Sequence, residues 1–90
     1  MKVKFFATYR DLTGCKETDV PAPPDAAALL GALISRYGPR MQRKLFAESG
    51  ELSEDAILLV NGRHIAHLSG LNTPLSEKDV VSLFPMVAGG

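Results

Sequence analysis

A single cysteine, Cys15, is all the thiol chemistry this chain has. One thiol closes no internal disulfide and builds no multi-cysteine metal site, which fits a reducing compartment. Charge of one sign is also missing. Ten basic and ten acidic residues cancel to a formal net charge of +0, which argues against an electrostatic grip on nucleic acid or on an anionic membrane. Long hydrophobic runs are absent too: the longest mostly apolar stretch, residues 26–34, is about half of what a bilayer span needs. Lys2 and Lys4 are followed by only a short apolar patch, so no secretory signal is expected and the chain is expected to be cytoplasmic. No segment matches a phosphate-cradling glycine loop, and no repeat or low-complexity tract is present. The 90 residues make one domain, with no interior left for a large enclosed cofactor.

What is present is an ordinary globular composition, 46% hydrophobic and 22% charged. Val3, Phe5 and Ala7 alternate with Lys2, Lys4 and Thr8, which predicts a first strand with Val3, Phe5 and Ala7 as its buried face. Phe6 sits on the polar side. Residues 11–16, with Gly14, read as a turn, and residues 17–20 as an antiparallel return strand stopped by Pro21, Pro23 and Pro24. Asp25 is a fitting helix N-cap. After it, Ala26, Leu29, Leu30, Leu33, Ile34 and Tyr37 form one amphipathic stripe, ended by Gly38 and Pro39. Residues 40–52 read as a solvated connection with some helix around Met41, Leu45 and Phe46. Residues 56–60 and 63–66 flank Asn61-Gly62, the strongest short hairpin signal. Residues 79–84 form a last strand, ending at Pro85.

Strand, strand, helix, then three strands predict an α+β fold of the ubiquitin-like β-grasp type: a mixed sheet of four to five strands with one main helix on one face. The first and last strands lie side by side and parallel at the centre, with the helix inside the long crossover. The domain is expected over residues 1–84, followed by a flexible Gly-Gly tail at 85–90.

Conventional catalytic constellations are scarce. His64 and His67, three apart on a predicted strand, are expected to face opposite sides, and no metal site is expected. Cys15 has no evident base partner. The ending Phe84-Pro-Met-Val-Ala-Gly-Gly90 is left. One reading is a frayed end. The other is a probe: residues 85–90 reach at most roughly 20 Å when extended, and the last two carry no Cβ to block a narrow channel. The reactive group is then the carboxylate of Gly90. It is ionised at neutral pH and a poor electrophile, so it requires activation, for example as an acyl adenylate. A separate enzyme must supply the nucleotide site.

The Val60-Asn-Gly62 hairpin, the Thr73-Pro-Leu75 turn, the opening Val3-Lys-Phe-Phe-Ala7 with Arg10-Asp-Leu-Thr-Gly14, and the terminus Asp79-Val-Val-Ser-Leu-Phe-Pro-Met-Val-Ala-Gly-Gly90 together resemble the small subunit of molybdopterin synthase, the MoaD family. The resemblance implies a sulfur carrier, not an enzyme alone. A ubiquitin-activating-type adenylyltransferase would consume ATP to adenylate Gly90, and a sulfur donor protein would convert it to a thiocarboxylate. The tail would then enter the molybdopterin synthase large subunit to donate sulfur in molybdenum cofactor biosynthesis. The carrier itself binds no cofactor. Gly90 and Gly89 would carry the chemistry, and Phe6, Arg10, His64, Phe84, Pro85, Met86 and Val87 would meet partners. His64 stands where the family more often has an apolar residue, and Met86 where a second proline is common. Related carriers share the tail, so the same chemistry also fits thiamin-thiazole or cysteine synthesis, or a ubiquitin-like modifier conjugated through Gly90.

Overall fold

The computed structural model describes residues 1–86. Strand β1 (Lys2–Phe5) leads into a short helix α1 (Thr8–Thr13) and an edge strand β2 (Glu17–Asp19). Helices α2 (Ala26–Tyr37) and α3 (Pro39–Leu45) follow, then the hairpin β3 (Ala56–Val60) and β4 (Arg63–His64). Two 3₁₀ turns, Ile65–His67 and Gly70–Asn72, precede β5 (Val80–Pro85). The five strands form one mixed sheet in the order β2-β1-β5-β3-β4. β1 and β5 are parallel neighbours in the middle, and the remaining pairs are antiparallel. The α+β, ubiquitin-like β-grasp expectation holds.

The period of two along each strand decides the core. Val3, Phe5, Leu58, Val60, Val81 and Leu83 are buried against Leu29, Leu30 and Leu33 of α2. Helix α2 begins as its sequence predicts, with the Asp25 carboxylate accepting a hydrogen bond from Ala28 N at 2.9 Å. Gly38, at φ 83°, ends it, and Pro39 becomes the first residue of α3 rather than merely a stop. Residues 40–52 are therefore more than a solvated connection, because Met41 and Leu45 of α3 are fully buried in the core. The hairpin turn has Asn61 at φ 51° and Gly62 at φ 87°, the left-handed pair its sequence announces. It is fastened to β5: Asn61 Oδ1 accepts from Val80 N at 2.9 Å, and Asn61 Nδ2 donates to Asp79 Oδ1 at 2.8 Å. That bond, with a second from Ser76 N, holds the Asp79 carboxyl below the usual carboxylate range. Glu77 is held low in the same way, by Ala22 N and by the Met1 amino group 3.2 Å away. Among the described residues, no helix is long and apolar enough to cross a membrane.

Two expectations are corrected at the start of the chain. β1 stops at Phe5, and Ala7 is exposed, not a core residue. The chain turns there: Tyr9 N donates to Phe6 O at 3.1 Å, with Ala7 between them at φ 51°, ψ −125°. Residues 8–13, half of which had read as turn, are the helix α1, ended by Gly14 at φ 75°. The residue that α1 buries is Tyr9, whose hydroxyl donates to Lys44 O at 3.4 Å while Lys44 Nζ lies 4.9 Å from its ring centre. Burial, helped by the nearby negative charge of Asp55, pushes the Tyr9 phenol up to about 12. Tyr9 thus ties α1 to α3 across the end of the sheet.

Ala7 sits in the mirror-image geometry that suits glycine at the first central position of a type II′ turn. Such a conformation costs a residue with a Cβ about 1–3 kcal/mol. Ala7→Gly is expected to stabilise the protein by about 1 kcal/mol, after glycine's greater entropy loss on folding. A rise of roughly 4–8 °C in melting temperature checks this; an unchanged or lower value would show that the turn is not strained.

Candidate functional site

The helices cover one face of the sheet and leave the other open. Because antiparallel and parallel partners share a face, the register specifies what lies there. One row runs Lys4, Ser82, Leu59, His64. The next contains Phe84 opposite Ile57, with Phe6 beside Phe84. Lys2, Glu17 and Asp19 occupy the β1–β2 end. Lys2 Nζ and Glu17 Oε2 are 3.1 Å apart, so charge largely cancels there, and the Glu17 contact holds the Lys2 ammonium above its ordinary range. The unbalanced feature is an apolar band of Phe6, Phe84, Ile57 and Leu59.

Phe6 and Phe84 meet edge to face, with ring centres 5.7 Å apart at 90°. Such pairs contribute about 0.5–1.5 kcal/mol beyond the area they bury. Phe6 remains 37% exposed, as Leu68 does, but Phe6 is joined to a second aromatic ring on the open face. Arg10 borders the band from α1. Its Nε donates to Phe5 O at 3.3 Å, and its guanidinium carbon lies 5.8 Å from the Phe6 ring centre. The strained turn at Ala7 brings α1, and with it Arg10, alongside Phe6.

At the far end of β5, Pro85 pairs with Ala56 and Met86 N donates to Asp55 O at 2.9 Å. The strand therefore runs one residue beyond the end expected at Phe84. Met86 is 56% exposed. Val87, Gly89 and Gly90 lie outside the described residues. The structure brings Phe6, Arg10 and Phe84 together on one face, with Pro85 and Met86 continuing from it.

His64 is also on this face, beside Leu59, at the sheet edge. The expectation that His64 and His67 point to opposite sides is wrong. β4 has only two residues, and the 3₁₀ turn that follows folds His67 back, so the rings lie 6.1 Å apart. His64 Nδ1 accepts a hydrogen bond from Ala66 N at 3.0 Å and caps that turn. Among the described residues, no three His, Cys, Asp or Glu side chains gather into a group able to hold a metal ion. Cys15 is elsewhere: its Sγ is half-buried, 3.9 Å from the Tyr37 hydroxyl and 3.7 Å from Thr13 Oγ1. Arg36 donates to Thr18 Oγ1 at 2.9 Å on the helical side.

Ile57 and Leu59 had not been singled out from the sequence. The signal for them was available. Residues 56–60 are apolar throughout, yet a strand covered on one face needs only alternate apolar residues. The surplus at 57 and 59 marks the open face.

The sequence model of the ThiS family matches residues 3–90. The chain is 37% identical over 92 residues to small archaeal modifier protein 3 of Haloferax volcanii, covering 100% of this chain and 98% of that protein. The solution structure of small archaeal modifier protein 1 from Methanosarcina acetivorans is similar at a TM-score of 0.86 and 32% identity, covering 99% of this chain and 94% of that one. A Pyrococcus furiosus structure described as a molybdopterin converting factor, subunit 1, is similar at a TM-score of 0.75 and 28% identity, covering 96% and 95%.

Proposed function

Because the chain belongs to the ThiS family of ubiquitin-like β-grasp proteins, we propose that it is a carrier activated at Gly90, working as a protein modifier and sulfur carrier. The observation that carries this reading is the open apolar band. It lies on the strand that leads to the Gly-Gly terminus, so a partner docked on Phe6 and Phe84 is positioned to receive the tail.

In this reading, an adenylyltransferase of the ubiquitin-activating type binds the band. The Gly90 carboxylate oxygen attacks the α-phosphorus of ATP, pyrophosphate leaves, and an acyl adenylate forms. AMP is then the leaving group for a second attack at the Gly90 carbonyl carbon. A lysine amine, losing a proton, gives an isopeptide bond. A sulfur nucleophile at the sulfide level gives a thiocarboxylate, which stays anionic at neutral pH and is a better nucleophile than a carboxylate. The carrier supplies the docking face and the acyl group, and the partner supplies nucleotide site, acid and base. Glycine at 89 and 90 leaves the carbonyl open to attack.

The names of the relatives at 37% and 32% identity support setting modification ahead of molybdopterin synthesis, which had been the first reading of the sequence. The molybdopterin reading keeps a specific support, the likeness to the Pyrococcus furiosus chain. In that alternative reading the acceptor would be the synthase large subunit, and the sulfur would go to a pterin precursor.

Intact-protein mass after incubation with such an adenylyltransferase, ATP and sulfide tests the proposal. The expected result is a gain equal to the difference between one sulfur and one oxygen atom, absent in Gly90→Ala. An unchanged mass, in a mixture that converts a known carrier, would overturn it. Adding lysine-bearing target protein separates the two fates, since conjugation adds the carrier's mass to the target.

A further inference from the structure

His64 has one ring nitrogen already engaged. Its Nδ1 accepts the Ala66 N–H at 3.0 Å, and a nitrogen that accepts carries no proton. The proton of the neutral ring is therefore on Nε2. Capping of the 3₁₀ turn and the edge-on His67 ring at 6.1 Å both hold the ring in this orientation. The side chain shares the open face with Leu59, directly across from it on β3. In the neutral ring the apolar band thus ends in one oriented N–H.

We propose that His64 is a fixed hydrogen-bond donor that selects among partners, and that the partner docking here presents an uncharged acceptor oxygen, a carbonyl, opposite Nε2. This rests on the reading of the open face as the docking surface. The acceptor is uncharged because the cations of this face stand elsewhere: Arg10 lies over Phe6, and Lys2 and Lys4 are on β1, with β5 and β3 between them and His64 on β4. A partner that set an apolar group against His64 would bury its N–H without an acceptor, which weakens binding by about tenfold or more.

The test has a readout for the ring itself and one for docking. Ring ¹⁵N shifts of the free protein report the tautomer; the Nε2–H form is expected, and the Nδ1–H form would overturn the proposal. Docking is read from the concentration dependence of ATP–pyrophosphate exchange by a ubiquitin-activating-type adenylyltransferase, with the carrier as varied substrate. His64→Leu is expected to raise KM by about tenfold at unchanged kcat. His64→Gln, whose amide NH₂ reaches the place of Nε2, restores KM. His64→Asn, whose Oδ1 can replace Nδ1 as the cap but whose NH₂ falls short of the place of Nε2, behaves like His64→Leu. Melting temperatures of all three identify any that fail to fold. If His64→Leu and His64→Asn keep the wild-type KM while Phe84→Asp raises it, the donor role is refuted and the docking face stands. If Phe84→Asp also leaves KM unchanged, the docking face is refuted and the donor role falls with it.

Discussion

Phe84→Asp is expected to give a folded protein that no longer docks. Phe84 is half-buried on the open face, and its contacts with protein are shared with Phe6 and Ile57. Losing the edge-to-face pair and part of the ring's burial costs about 1–2 kcal/mol, against a total stability of about 5–15 kcal/mol. Binding suffers more. A central aromatic anchor typically contributes about 2–4 kcal/mol, or roughly 30- to 1,000-fold in affinity. The aspartate adds a charge that docking would have to strip of water. Calorimetric titration with the adenylyltransferase, beside a thermal melt, separates the two quantities. An affinity within about threefold of wild type would remove Phe84 from the interface.

Leu83→Ala, one residue earlier, is expected to do the reverse. Leu83 is fully buried, facing Phe5 across the parallel pair and Leu58 across the antiparallel one. Its side chain lies in the core cluster with Leu29, Leu30 and Leu33 of α2. Truncation costs about 3–5 kcal/mol through lost burial and the cavity left behind, much of the stability of a domain this small. The melting temperature should fall by roughly 12 °C or more, while folded protein at low temperature keeps wild-type affinity. A drop of only a few degrees would mean that the core around β1 and β5 can collapse onto the gap. The two variants together separate fold from docking along one strand by its alternation alone.

That alternation was the most legible part of the sequence. Val81 and Leu83 against Phe84, and Val3 and Phe5 against Phe6, define two faces without any structure, and they bring Phe6 and Phe84 together. The stripe from Ala26 to Tyr37, capped by Asp25 and closed by Gly38, was equally plain, as was Asn61-Gly62. What failed to show had physical reasons. Helix α1 has six residues, too few for a periodic stripe. Its only clues are Tyr9 and Leu12 three apart and the glycine at 14. Ala7 continued the alternation by coincidence, and a positive φ at alanine is not announced by composition. β4 was overestimated because Ile65 and Ala66 suit a strand, whereas the His64 ring satisfies the Ala66 N–H locally and bends the chain into a 3₁₀ turn. The meeting of His64 and His67 depended on that bend.

The pairing of β1 with β5 also bears on timing. Those strands come from opposite ends of the described chain, so their contacts close the longest loop in the domain, the kind of contact that slows folding. Until β5 has been synthesised, β1 and β3 lack their common neighbour, and Phe6 and Ile57 have no Phe84 to join them. The apolar band therefore does not exist on a chain that ends before β5. If the band is the docking face proposed above, a chain that stops before β5 is expected not to engage an activating partner.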